Sequence, residues 1–232
     1  AFQWAEAESE VLVVLLTGAG KNFCSGSDLS LLANVQAVVD HADPARSHER
    51  LRRMILDMQD CLSSVERCRK PVLAAIQGAC VGAGVDLMCC CDMRYASEDA
   101  QFSVREIDLG MVADVGTLQR LPRLVADGYA RELAYTGRNV DAAEALRHGF
   151  VNVVFETPQA LLAGVGELAR AIAAKSPLAI RGTKEMLNYG RDHSVADGLN
   201  YVATWNAAMM MSADLSEAMG AMREKRAPKF QD

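Results

Sequence analysis

Residues 71–91, PVLAAIQGACVGAGVDLMCCC, constrain the fold of this chain more than any other stretch. The run from Pro71 has no polar side chain before Gln77, so it lacks the alternation of a strand with one wet face and reads as a strand buried on both. Pro71 cannot donate to a ladder and belongs at the strand's first residue. GACVGAG then reads as a glycine-rich turn opening a buried helix, VDLMCCC. A second run, VLVVLLT (11–17), is also β-branched and Leu-rich and ends at Gly18-x-Gly20. Strands buried on both faces belong to parallel sheets covered by helices, which points to an α/β chain.

The rest of the sequence extends that pattern. Leu51, Met54, Ile55, Met58, Leu62 and Val65 recur at helical spacing with charges between them, predicting a helix over 46–69. DMRYAS and AQFSV read as short strands. The region from Val115 reads as helix-turn-helix broken by Pro122 and Gly128. DAAEALRHG is a short helix with an Asp cap and a Gly stop, followed by the strand VNVVF. Everything from Pro158 has a helical period. This order predicts an α/β core over 1–172 and a helical region over 173–232.

Composition removes several classes of function. A net charge of −6 gives no general reason to expect nucleic acid. No apolar run is long enough to span a bilayer, and AFQWAEAESE is acidic where a signal peptide is basic. The seven cysteines include no C-x-x-C, so no disulfide framework or zinc site is expected, and they read as reduced, buried small hydrophobes. His41, His48, His148 and His193 fall in no metal-ligand spacing and read as surface or capping residues. Met209–Met211 reads as core or subunit-contact filling. TGAGKN fails as a phosphate loop because Leu15 and Asn22 stand where Gly and Ser or Thr are required, and Gly82-x-Gly84 fails as a dinucleotide loop because Leu87 takes the third glycine's place.

Three acids stand among apolar and glycine-rich neighbours: Asp86, Glu106 and Asp114. A carboxylate placed there loses hydration that its charged form needs. Each taken singly reads as a cap or strand-end charge, but three in one short stretch point to proton transfer. Two glycine turns, FCSGSDL and CVGAGVDL, each follow a strand and precede a helix. Such turns present free backbone N–H groups where the helix dipole also favours negative charge. Two of these amides on one carbonyl oxygen would stabilise an enolate, beside which carboxylates could remove and return protons on carbon.

These segments resemble the enoyl-CoA hydratase/isomerase (crotonase) superfamily. The likeness runs from LTGAGKNFCSGSDL through KPVLAAIQGACVGAGVDLMCCCDMRYAS, FSVREIDLGMVADVGTLQRLP and ALRHGFVNVVF to MREKRAPKF, nearly the whole chain. It implies a crotonase-type spiral of ββα units with a C-terminal helical trimerisation region, giving homotrimers or hexamers, and an N-terminal hairpin preceding the first residue given. Within the superfamily the chain is most similar to the dienoyl-CoA isomerases, through VDLMCCCDMRY, VREIDLGMVADVGTLQRLP and RDHSVADGLNYVATWN. That likeness implies catalytic roles for Asp86, Glu106 and Asp114, with Asp86 hydrogen-bonded to and tuning a neighbour. Asp114 is the discriminating residue, because ordinary hydratases lack an acid there.

The resemblance also implies an oxyanion hole from the Ser27 and Ala83 N–H groups. Ala83 departs from the usual glycine, so an ordinary φ is expected there. Ser25, Asp28, Leu29 and Lys225 are implied as CoA contacts, with Asp28 also placed to cap a helix. No metal or redox cofactor is implied, since CoA is part of the acyl-CoA thioester substrate, and neither nucleic acid nor membrane is an expected partner. Relatives work in the mitochondrial or peroxisomal matrix, although the visible ends have neither a transit peptide nor a terminal S-K-L. The competing readings are a 2-enoyl-CoA hydratase and a non-catalytic RNA- or protein-binding member.

Overall fold

The computed structural model describes residues 1–28, 30 and 43–232. The chain forms two compact units. One comprises Leu15–Arg67 and Val72–Val165; the other comprises Ala1–Val14, Cys68–Pro71 and Gly166–Asp232. The C-terminal helices therefore share a unit with the N-terminal segment, and the division falls at 165/166 where the sequence pattern placed it at 172/173.

The larger unit is built on two small sheets. Strands β1 (Val14–Thr17), β2 (Val72–Ile76), β4 (Met93–Ser97) and β7 (Val153–Phe155) form one, in the order β1-β2-β4-β7. β2 pairs parallel with β4 through Leu73↔Met93 to Ile76↔Ala96, and β4 pairs parallel with β7 through Tyr95↔Val153. Every residue of β2 is buried, as its unbroken apolar run requires. The second sheet has the order β3-β5-β6, from β3 (Ala79–Val81), β5 (Gln101–Ser103) and β6 (Val140–Asp141). Phe102 and Phe150 anchor the core with ring centroids 5.4 Å apart.

Helix α2 (Pro44–Arg67) fulfils the period expected over 46–69. α3 (Ala83–Cys89) fulfils the buried helix of VDLMCC. Short helical turns follow at Glu106–Leu109, α4 (Thr117–Arg120) and Leu121–Arg123, then α5 (Asp127–Thr136) and α6 (Ala142–Arg147). Asp141 caps α6 by accepting from Glu144 N–H at 2.7 Å.

The other unit contains α1 (Phe2–Ala7) and three helices that start on serine caps: α8 (Pro177–Tyr189) on Ser176, α9 (Val195–Met209) on Ser194 and α10 (Ala213–Glu224) on Ser212. Each serine oxygen accepts an amide of the first turn, supplying a partner that the helix itself lacks. α7 (Pro158–Ala173) precedes them.

Four local expectations differ from the structure. Val11–Val13 precede β1, because Val11 N–H donates to Glu8 O in a turn. Ala79–Val81 is a strand rather than part of a turn, since it pairs with Gln101–Ser103. Gly128 lies inside α5, near its start, and Gly137 with φ 60° ends that helix instead. Among the cysteines, all seven are free, but Cys61 is exposed rather than buried.

Candidate active site

The site is assembled at the carboxyl ends of neighbouring parallel segments, where open α/β sheets present their free loops. Cys24 pairs with Cys80 of β3: Cys24 N–H donates to Ala79 O at 3.0 Å and Val81 N–H to Cys24 O at 2.9 Å. β3 pairs in parallel with β5 on its other side. Chain direction therefore brings three exits to one edge: Ser25–Asp28 after Cys24, Gly82–Ala83 after β3, and Val104–Glu106 after β5.

Gly82 is where these exits meet. Its φ of 54° lies in the left-handed region, and a Cβ placed on it would stand 3.2 Å from Glu106 Oε1 and 3.9 Å from Gly26 Cα. Only glycine combines that conformation with so close an approach. Ala83 begins α3, and the only described non-glycine residue with positive φ is Lys225. Ala83 thus has an ordinary backbone, because Gly82 makes the turn for it, and its N–H is among the first of the helix, which have no intrahelical acceptor. Ser27 is exposed in the adjacent turn.

Asp86 is completely buried on the first turn of α3. Its Oδ1 accepts from Thr117 N–H at 2.7 Å, while Oδ2 and the Thr117 hydroxyl have no partner among the described residues. Burial pushes this carboxyl above its usual range, hydrogen bonding from Thr117 opposes the shift, and the charge of Asp114 reinforces it. Glu106, half-buried at the start of its helical turn, is also pushed up by burial, with Asp86 and Asp114 adding to the shift. The carboxyl of Asp114 is exposed, and its backbone O accepts from Gln59 Nε2 at 2.6 Å.

The three acids therefore lie within electrostatic reach of one another. Among the described residues the expected hydrogen bond from Asp86 to a neighbouring acid does not occur; its partner is the Thr117 backbone amide. Thr117 and Gln59 are hydrogen-bond neighbours of these acids that sequence reading missed. Gln59 was hidden because its partner is 55 residues away.

The remaining expected contacts are dispersed. Ser25 is exposed. Asp28 is exposed, and its Oδ1 accepts from Ser30 N–H at 2.8 Å, which holds its carboxyl below the usual range. Leu29 lies outside the described residues. Lys225 is exposed and left-handed at the end of α10. His148 stacks on Tyr129 and His193 on Tyr189, while His41 lies outside the described residues. No group of three His, Cys, Asp or Glu residues placed to hold a metal ion occurs among the described residues.

The enoyl-CoA hydratase/isomerase family profile matches residues 1–232. The chain belongs to the enoyl-CoA hydratase/isomerase family. Within the family it is 51% identical to the peroxisomal Delta(3,5)-Delta(2,4)-dienoyl-CoA isomerase of Arabidopsis thaliana, over 95% of this chain and 80% of that protein. It is 43% identical to the mitochondrial Delta(3,5)-Delta(2,4)-dienoyl-CoA isomerase of Homo sapiens, over 97% of this chain and 69% of that protein. Among solved structures, the enoyl-CoA hydratase of Bacillus anthracis superposes with a TM-score of 0.89 at 33% identity, covering 99% of this chain and 85% of that one. The family's crotonase fold is thus the fold of this chain.

Proposed function

We propose that this chain converts 3,5-dienoyl-CoA to 2,4-dienoyl-CoA. The observation that carries the reading is Asp114, a third acid brought into electrostatic reach of Asp86 and Glu106 in a chain most like dienoyl-CoA isomerases. The reaction breaks a C2–H bond, shifts both conjugated double bonds by one carbon, and forms a C–H bond at C6. Its dienolate places negative charge on the thioester oxygen, where the Ser27 and Ala83 N–H groups would stabilise it.

Glu106 lies beside the turn that presents Ala83, which supports its acting at C2, next to the thioester carbon. Asp114 then serves C6, and its exposure lets it exchange its proton with solvent between turnovers. Asp86 acts through its charge, holding Glu106 more basic. A base with a raised pKa takes a proton from carbon more readily at neutral pH. The isomerisation transfers no electrons, so no redox cofactor is required, and CoA enters with the substrate. Ser25, Asp28, Leu29 and Lys225 are the proposed CoA contacts.

The peroxisomal and mitochondrial names of the relatives support a place in either matrix, in the β-oxidation of unsaturated fatty acids. No described helix is long and apolar enough to cross a membrane. A homotrimer or hexamer is supported by Val195, Leu199, Met211 and Met222, exposed apolar residues on or beside α9 and α10. Purified protein assayed with 3,5-dienoyl-CoA and with 2-enoyl-CoA tests the function. Conversion of the dienoyl substrate is expected; rapid hydration of 2-enoyl-CoA without dienoyl conversion would replace the reading with a hydratase.

A further inference from the structure

We propose that Gln59 is a positioning residue for Asp114, and that one face of α2 sets the geometry of the proton-transfer segment. Gln59, Ser63 and Glu66 recur at i, i+4 and i+7, so they share one side of the helix. All three meet the segment from Asp114 to Arg120. At its start, Gln59 Nε2 donates to Asp114 O at 2.6 Å. At its end, Arg120 Nη2 donates to Ser63 Oγ at 3.1 Å and to Glu66 Oε2 at 2.9 Å, with Nε adding a bond to Glu66 Oε2 at 3.2 Å.

Between these anchors lie Gly116, with φ 133°, and Thr117, whose amide donates to Asp86. One segment therefore presents the Asp114 carboxyl and supplies the hydrogen bond to Asp86, and α2 holds both ends of it. Among the described residues no hydrogen bond reaches the Asp114 carboxyl itself. Its direction follows its backbone, whose carbonyl accepts from Gln59. Proton transfer demands close alignment of donor and acceptor, so freeing that carbonyl lowers the chemical step without removing any contact to substrate.

This inference rests on the isomerase reading. The parent, Gln59→Met and Gln59→His are compared in steady-state turnover of 3,5-dienoyl-CoA, with Tm measured for each. Met fills the same space without a donor, whereas the His ring can present an N–H at similar reach. Loss of one hydrogen bond is expected to lower kcat of Gln59→Met about fivefold, with KM within about twofold of the parent and Tm little changed. Gln59→His is expected to recover most of kcat.

An unchanged kcat in Gln59→Met, an equal loss in Gln59→His, or a loss that follows a fall in Tm would each overturn the positioning role. A parent that does not convert the dienoyl substrate would take down the isomerase reading and this inference together. A converting parent confines any failure to Gln59.

Discussion

Asp86 is enclosed and bonded to one amide, Glu106 is half-buried against Gly82, and Asp114 opens to solvent. Environment gives these three carboxyls different work. Asp114→Asn keeps the shape but removes the proton carrier, so turnover of 3,5-dienoyl-CoA should fall by about 10² to 10⁴ with little change in Tm. Steady-state kinetics and a melting curve check both parts.

Asp86 has a thermodynamic signature as well. Its raised pKa means that, above the ordinary carboxylate range of about pH 4, the folded state binds more protons at this site than the unfolded state. Stability at this site therefore falls as pH rises through that window. Asp86→Asn removes the desolvated charge and retains an oxygen for Thr117 N–H. It should raise Tm at neutral pH by about 2–4 °C, the shift that roughly 1 kcal/mol gives in a chain of this size. The gain should disappear near pH 4, while turnover at neutral pH falls with loss of the charge; a stability gain that persists at low pH would refute the argument.

The turn between β3 and α3 depends on Gly82. Alanine there forces a left-handed backbone at roughly 1–2 kcal/mol and sets a methyl group against Glu106. Gly82→Ala should therefore lower both Tm and kcat. A similar constraint, structural alone, operates between α8 and α9. A Cβ at Gly182 would stand 2.6 Å from Trp205 Nε1, so Gly182→Ala should destabilise by about 1–3 kcal/mol with kcat unchanged per folded molecule. Denaturant unfolding and turnover measured together distinguish these two glycines.

Elements with strong local pattern were legible in the sequence. β2 was, because five consecutive buried residues leave no alternation to misread. α2 was, because its apolar period is sustained, and α6 was, because its Asp cap is in the sequence. Ala79–Val81 was not, because three residues beside glycine look like a turn until they find Gln101–Ser103 and Cys24 as partners. Nor was the placement of Gly128, since the stop at Gly137 depends on a left-handed φ rather than on composition.

At the scale of the whole molecule, exposed apolar side chains are the unspent part of the sequence. Met211 is 88% exposed, Val195 81% and Met222 80%, so of the two readings of the methionine run, core or subunit contact, the exposure favours the second. Apolar surface so placed favours association with further copies. Sedimentation velocity should show trimers or hexamers, and Met222→Glu should shift them toward smaller species. A parent that remains monomeric at micromolar concentration would end the proposal.

What the sequence determined by itself was the inventory: buried strands, glycine turns, the identity of the three acids and, through linked motifs across nearly the whole chain, the family. Those signals are local, because periodicity and turn chemistry act over a few residues. Only the tertiary structure decided which groups meet. It placed Glu106 against Gly82, Thr117 on Asp86 and Gln59 on Asp114, since these depend on pairing between segments far apart in the chain. It also made Asp86 buried and Asp114 exposed, a difference that two aspartates in similar sequence could not reveal because burial is a property of packing.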